Sequence, residues 1–301
     1  MNQGVEQHQS GSYRTSFDVY GEKRPVRIVR QRVEGLDAPR LVVVSYLPNE
    51  MARDMFELCI RSIQRHTPEP HELWVVDNCS PPHLRAWLEN EPGLNLVLSE
   101  TEPVPRVGFW QRLAGKRPEY SGSYANAVAL ELAARAVDPG TRLMMTLHMD
   151  TVACCSGWLS YLSGRMDGET RCVGVRMDTT RVRTIHVLGM LFDFTLFEPM
   201  QFTFRHGMPA YDTGDFIPMT LERSGYRIWG CPNTLWNPEL VDRLEPDSPY
   251  RGIRADRSLD DNNRVIFMHM GRGVATSKGQ TDSMARAEEW LKFGREVVLT
   301  T

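Results

Sequence analysis

Four short apolar runs, "RLVVVSYL", "ELWVVD", "LNLVLS" and "LMMTL", recur through the first half of the chain, and each of the first three is followed by a segment of helical periodicity. Runs this short, rich in Val and Leu and without polar alternation, read as strands buried on both faces, as in parallel sheets. Strand and helix in regular alternation imply an α/β protein whose parallel sheet carries helices on both sides. Such sheets bind ligands beyond the carboxyl ends of their strands, so chemistry is sought where the runs stop.

The segments between the runs carry start and stop signals. Asn49 is placed to cap a helix in which Met51, Met55, Leu58, Cys59 and Ile63 recur at helical spacing until Thr67 and Pro68. Pro81 suits the first helical position of "PPHLRAWLEN", and "SYANAVALELAARAV" reads as a helix stopped by Pro139 and Gly140. In the second half "RCVGVRM", "IHVLGMLFDF", "YRIWG" and "RVIFMHMG" read as strands, "DFIPMTLERSG" as a short helix ended by Gly225, and "MARAEEWLKFGREV" as a closing helix. The first 15 or so residues are polar and expected to be mobile, whereas "RPVRIVRQRVE" suggests a half-exposed strand. One large domain over residues 39–301 is expected, with residues 1–38 as an amino-terminal extension. It divides into a first half over 39–155 and a second over 156–301.

With 35 basic and 38 acidic residues among 301, the net charge of −3 provides no polycationic face for nucleic acid. No apolar signal core opens the chain and no run of about 18 apolar residues occurs, so a soluble, cytoplasmic protein is expected. Six scattered cysteines include no CxxC pair, which points to reduced, packed thiols.

Neither GxGxxG nor GxxxxGK[ST] follows the first run; the chain has "VVVSYLPNEM" there. Any phosphate bound at this edge therefore needs another neutralising charge, and a divalent metal, Mn²⁺ or Mg²⁺, takes oxygen ligands from a carboxylate and a diphosphate together. At the end of the fourth run stand His148 and Asp150, two positions apart and so on the same side of an extended chain.

Taken in order, "VVVSYLPNEMARDMFELCIRSIQRHTPEPHELWVVDNCSPP", "GSYANAVALELAAR", "LMMTLHMDTVACCSGWL", "DTGDFIPMTLERSGYRIW" and "FMHMGRG" resemble a family 2 glycosyltransferase of the GT-A fold, over roughly residues 40–275. The resemblance implies a GT-A type α/β domain with a mostly parallel central sheet, a nucleotide-binding half and an acceptor half. It further implies that Ser45, Tyr46 and Glu50 border the nucleotide. Asp77 would bond the base, with Asn78 and Ser80 beside it, and the loop from Gly122 to Asn126 would lie near the donor. The family's DxD motif falls on His148, Met149 and Asp150, which implies that Asp150 would bind a metal bridging the diphosphate. His148 departs from the acidic residue common there; imidazole suits Mn²⁺ better than Mg²⁺. His269 stands where a late histidine completes the metal site, and Arg272 and Lys278 follow it to cover the diphosphate. An inverting member also needs a carboxylate base, here Asp215 with Asp212 in reserve.

These implications describe an enzyme that moves a sugar from a nucleotide diphosphate donor, with a UDP-sugar expected, to a hydroxyl or amine on a small molecule, glycan or peptide. Two alternatives remain open: a sugar-phosphate nucleotidyltransferase, and a non-catalytic nucleotide-sugar-binding module with a degenerate DxD. Plainer roles also stand beside the sharp ones. Asp150 and Asp77 are of a type that caps helices and turns, His148 and His269 are of a type that packs in cores, and Asp215 suits the first turn of a helix. Trp158 and Trp229 read as core, while Trp110, in a long irregular piece with Arg106, Arg112 and Lys116, is the expected acceptor contact.

Overall fold

The computed structural model describes residues 11–104, 121–176, 182–271 and 281–300. The four apolar runs are strands β3 (Arg40–Ser45), β4 (Glu72–Asp77), β5 (Leu94–Ser99) and β6 (Leu143–His148). They lie side by side in the order β5–β4–β3–β6, all parallel. Crossovers between them carry α1 (Glu50–His66), α2 (Pro82–Asn90) and α3 (Ser121–Ala136). Asn49 caps α1 as its sequence implies, its side chain accepting from the Ala52 amide at 2.9 Å. Helix α2 begins one residue later than expected: Pro82 is its first residue and Pro81 holds an extended ψ of 139° at the capping position.

Further strands extend this central block on both sides. A hairpin of β1 (Gly11–Val19) and β2 (Glu22–Arg30) joins it through β2, antiparallel to β5. On the far side β9 (Ile185–Asp193) runs antiparallel to β6, followed by β8 (Thr170–Arg176) and β10 (Arg227–Cys231). The result is a nine-stranded sheet, β1–β2–β5–β4–β3–β6–β9–β8–β10, in which only β2 and β9 oppose the others. This is the α/β class with the mostly parallel, helix-flanked central sheet that the GT-A resemblance implies. The expected mobile start is corrected from Gly11 onward, where the chain is already a strand. As an edge strand β1 pairs on one side only and leaves most of its residues exposed or half-buried, so polar residues suffice to build it.

Alternate residues of the central strands feed two cores: Leu41, Val43, Leu73 and Val75 pack on one face, and Val42, Trp74 and Val76 on the other. Burial on both faces is why these strands show no polar alternation. At the amino edge of the sheet Glu72, fully buried, accepts from the Glu34 amide at 2.8 Å, the Trp74 indole at 2.7 Å and the Asn95 amide at 3.1 Å. The buried guanidiniums of Arg30 and Arg40 approach it at 3.4 and 3.3 Å. This network fastens the first hairpin to the parallel block.

A second sheet is small but decisive for the site. It consists of β11 (Asp256–Leu259), β12 (Val265–His269) and β7 (Thr151–Ala153), all antiparallel. The chain leaves β6 of the large sheet at His148 and enters β7 of the small one at Thr151, so Met149 and Asp150 form the passage between two sheets. Helices α4 (Trp158–Ser163), α5 (Phe216–Arg223) and α6 (Thr281–Phe293) are the remaining described α-helices. No described helix is long and apolar enough to cross a membrane.

Candidate active site

Strand register decides which side chains meet at the carboxyl edge. Ser45 stands opposite Asp77, and Val44 opposite His148, which aligns the ends of β4, β3 and β6 in one row. Pairing of β7 with β12 sets His269 opposite Thr151, beside Asp150, and the Met270 amide donates to the Asp150 carbonyl at 3.0 Å. In consequence His148, Asp150 and His269 each offer a ligand atom within 4.8 Å of the others. His269 Nε2 lies 3.3 Å from Asp150 Oδ1, and the rings of His148 and His269 meet edge to face with centroids 5.3 Å apart.

The two imidazoles sit in opposite electrostatic settings. Burial, helped by the neighbouring His269, drives the pKa of His148 down to about 3 against the pull of Asp150. Burial also acts to lower His269, but Asp150 and Asp256 on its two nitrogens overturn that effect and raise it to about 10. His148 is therefore neutral, and its Nε2 is sealed from solvent with no hydrogen-bond partner among the described residues. An orphaned buried nitrogen costs about 1–3 kcal/mol. A divalent cation fits this place: it would use the stranded lone pair, and Asp150 would supply the negative charge. Two nitrogens and one oxygen form a donor set suited to Mn²⁺ more than to Mg²⁺.

Asp256 and His186 belong to the same constellation and carry no signal in the sequence. Asp256 faces His269 across the β11–β12 ladder, with Oδ2 3.4 Å from Nδ1. His186, at the start of β9, stacks edge to face on His148 with ring centroids 5.7 Å apart and reaches Asp212 Oδ2 with Nε2 at 3.4 Å. Its Nδ1 accepts from the Leu188 amide at 3.3 Å, which assigns the proton to Nε2 and makes His186 the donor to Asp212.

Asp212 and Asp215 lie in a tight turn before α5. Asp215 is buried and accepts the Asp212 amide at 2.7 Å, while Asp212 is half-buried. Gly214 between them has φ of +78°, and a Cβ there would stand 2.4 Å from Val187, so only glycine fits this turn. Thr213 donates to the Ser123 carbonyl at 2.9 Å, and Asn78 to the Ala125 carbonyl at 3.2 Å. The start of α3, which includes exposed Gly122 and half-buried Asn126, thus bridges the acidic turn and the end of β4.

The residues expected around the nucleotide divide into several groups. Asp77 is fully buried; its carboxylate accepts from the Ser80 hydroxyl and amide and from the Ser45 hydroxyl. Burial pushes its pKa up against those bonds and Arg85. Ser80 also accepts the Leu47 amide at 2.9 Å, so this group braces the loops around it. Asn78 Oδ1 is buried without a partner among the described residues, and Tyr46 is 44% exposed. Glu50, exposed at the first turn of α1, pairs with Arg53 at 2.6 Å. Met149 packs into the core. Trp158 is core as expected and Trp229 packs partly buried against it. Arg272 and Lys278 lie outside the described residues, as do Arg106, Trp110, Arg112 and Lys116.

No family model matches the chain, and no curated protein matches it. Among solved structures it is similar to a mannosyltransferase from Pyrobaculum calidifontis in complex with GDP-Man and Mn²⁺, at 21% identity and a TM-score of 0.46, over 64% of this chain and 54% of that one. It is also similar to the galactosyltransferase LgtC in complex with donor and acceptor sugar analogs, at 12% identity and a TM-score of 0.47, over 86% of this chain and 96% of that one. A 4-diphosphocytidyl-2C-methyl-D-erythritol synthase from Anaerococcus prevotii matches at 8% identity and a TM-score of 0.45, over 86% of this chain and all (100%) of that one. Identities and TM-scores of this size leave function to be read from the site itself.

Proposed function

We propose that the protein is a metal-dependent glycosyltransferase that moves a sugar from a nucleoside diphosphate donor, a UDP-sugar, to an acceptor hydroxyl or amine with inversion. The observation that carries this reading is the neutral His148, whose buried Nε2 has no hydrogen-bond partner among the described residues, set within 4.8 Å of Asp150 and His269 where the parallel sheet ends. His148, Asp150 and His269 would hold a divalent cation such as Mn²⁺, with Asp256 orienting the His269 ring, and the bound ion would supply positive charge to the departing diphosphate. Ser45, Tyr46, Asp77 and Asn78 place the nucleoside over the ends of β3 and β4, and the Asn78 carbonyl oxygen accepts from the base. Arg272 and Lys278 add charge at the diphosphate.

The acidic turn supplies the general base. Sequence favours Asp215, but its carboxylate is buried and holds the Asp212 amide. We assign the proton transfer to Asp212, which His186 orients from the metal side. Its carboxylate removes the proton from the acceptor as the nucleophile attacks the anomeric carbon, and the nucleoside diphosphate leaves from the opposite face. All six cysteines are free thiols, which supports the cytoplasmic location we propose.

Incubation with UDP-sugars and Mn²⁺ tests the reading through release of UDP, first by slow hydrolysis and then with candidate acceptors. Pyrophosphate release from UTP and a sugar phosphate would assign a nucleotidyltransferase instead. Binding of UDP-sugar without turnover, unchanged by Asp212→Asn or Asp215→Asn, would leave only a binding module.

A further inference from the structure

Trp236 is a large aromatic side chain left 38% exposed, and two guanidiniums lie over its ring: Arg176 at 5.6 Å and Arg183 at 5.9 Å from the centroid. Two cations on one indole repel each other, and neither forms an ion pair with a carboxylate among the described residues. Arg176 Nε is in addition buried without a hydrogen-bond partner among the described residues. The backbone is shaped to permit this: a Cβ on Gly230 would stand 3.0 Å from Arg176 Cβ and 3.4 Å from its Nε, so the bare glycine of β10 makes room for the side chain.

The platform is rigidly tied to the site. The Trp236 amide donates to Asn233 Oδ1 at 2.8 Å, and Asn233 in turn donates to the Cys231 carbonyl at 2.9 Å. Two bonds join Thr234 to Arg257, the neighbour of Asp256: amide to carbonyl at 2.9 Å and Arg257 amide to Thr234 hydroxyl at 2.8 Å. Arg176 ends β8, which is separated from β6 by β9 alone. Two strand spacings amount to roughly 10 Å. The nucleoside side, at β3 and β4, lies in the other direction from β6.

We propose that Trp236, Arg176 and Arg183 form an acceptor subsite for a sugar that carries an oxyanion, a phosphate or a carboxylate. Its anion bridges the two guanidiniums and its ring rests on the exposed part of the indole. The inference rests on the glycosyltransferase reading for the word acceptor, while the binding site itself stands on these three side chains.

The test uses the full chain saturated with Mn²⁺ and UDP, titrated calorimetrically with glucose 6-phosphate, glucuronic acid and glucose, with donor hydrolysis followed in parallel. At least one acidic sugar is expected to bind at least about tenfold more tightly than glucose, and the stronger of the two identifies the anion. Arg176→Gln with Arg183→Gln should weaken that sugar by about tenfold or more and leave UDP affinity unchanged. Should the double variant melt early, Arg183→Gln alone, on an exposed residue, carries the comparison. Equal binding of glucose, no saturation by either acid, or a loss of UDP affinity in place of acidic-sugar affinity overturns the proposal; the last result would assign the arginines to the donor diphosphate. Donor hydrolysis without acidic-sugar binding sinks the subsite alone, whereas acidic-sugar binding without any hydrolysis sinks the transferase reading alone.

Discussion

Asp256 stands directly across from His269 in the β11–β12 ladder, and its Oδ2 lies 3.4 Å from the ring nitrogen that faces away from Asp150. A histidine that ligates with one nitrogen and donates with the other is held in one tautomer and one orientation. Asp256→Asn should therefore weaken Mn²⁺ binding by about 10- to 100-fold, measured calorimetrically without nucleotide. An unchanged metal affinity would reduce Asp256 to a surface partner.

The metal-free protein should have a distinct alkaline weakness. His269 has a folded pKa of about 10 against an ordinary value of 6.5, so its contribution to stability is complete below pH 6.5 and is lost as pH rises through 10. His148 works in the opposite direction: with a folded value of about 3, it favours unfolding as pH falls from 6.5. Thermal unfolding in EDTA should show a falling melting temperature between pH 7 and about 10, and His269→Gln should flatten that slope. Loading with Mn²⁺ near pH 8 should release about one proton, read by calorimetry in buffers of different ionisation enthalpy.

Base catalysis separates the two acids of the turn. Asp212→Asn is expected to lower kcat by about 10²- to 10⁴-fold while Mn²⁺ and UDP affinities stay within a few-fold. Asp215→Asn should act mainly by loosening the turn, with a lower melting temperature. A larger kcat loss at Asp215 than at Asp212 would return the base to Asp215.

Far from the chemistry, Glu72 offers a stability test. Its carboxylate is fully buried and serves three neutral donors as well as two guanidiniums, so Glu72→Ala leaves those donors without their acceptor and two buried positive charges sharing Asp138 as their one remaining carboxylate among the described residues. Denaturant unfolding should show a loss of about 3–5 kcal/mol. Mn²⁺ affinity of the fraction that remains folded should not change.

The parallel block was legible because β3 to β6 are buried on both faces, which leaves an unbroken apolar signature in the sequence. Strand β1 was not, because an edge position asks little of its side chains. β7 and β11, of three and four residues, are too short for any periodicity to show. In the site, His148 and Asp150 declared themselves by spacing at the end of a strand, and His269 through the resemblance. Asp256 and His186 join only through strand register and a ring contact, relations between segments far apart in the chain that no local pattern encodes.

The passage at Met149 and Asp150 has a consequence for how the protein matures. Asp150 acquires its histidine neighbour only when β12 docks on β7, more than a hundred residues upstream. A slip of that docking by one position would present a methionine, Met268 or Met270, in place of the imidazole. On the proposed reading, metal loading would report that the small sheet is correctly aligned: a misaligned molecule would keep one carboxylate and one imidazole, too few to retain the ion.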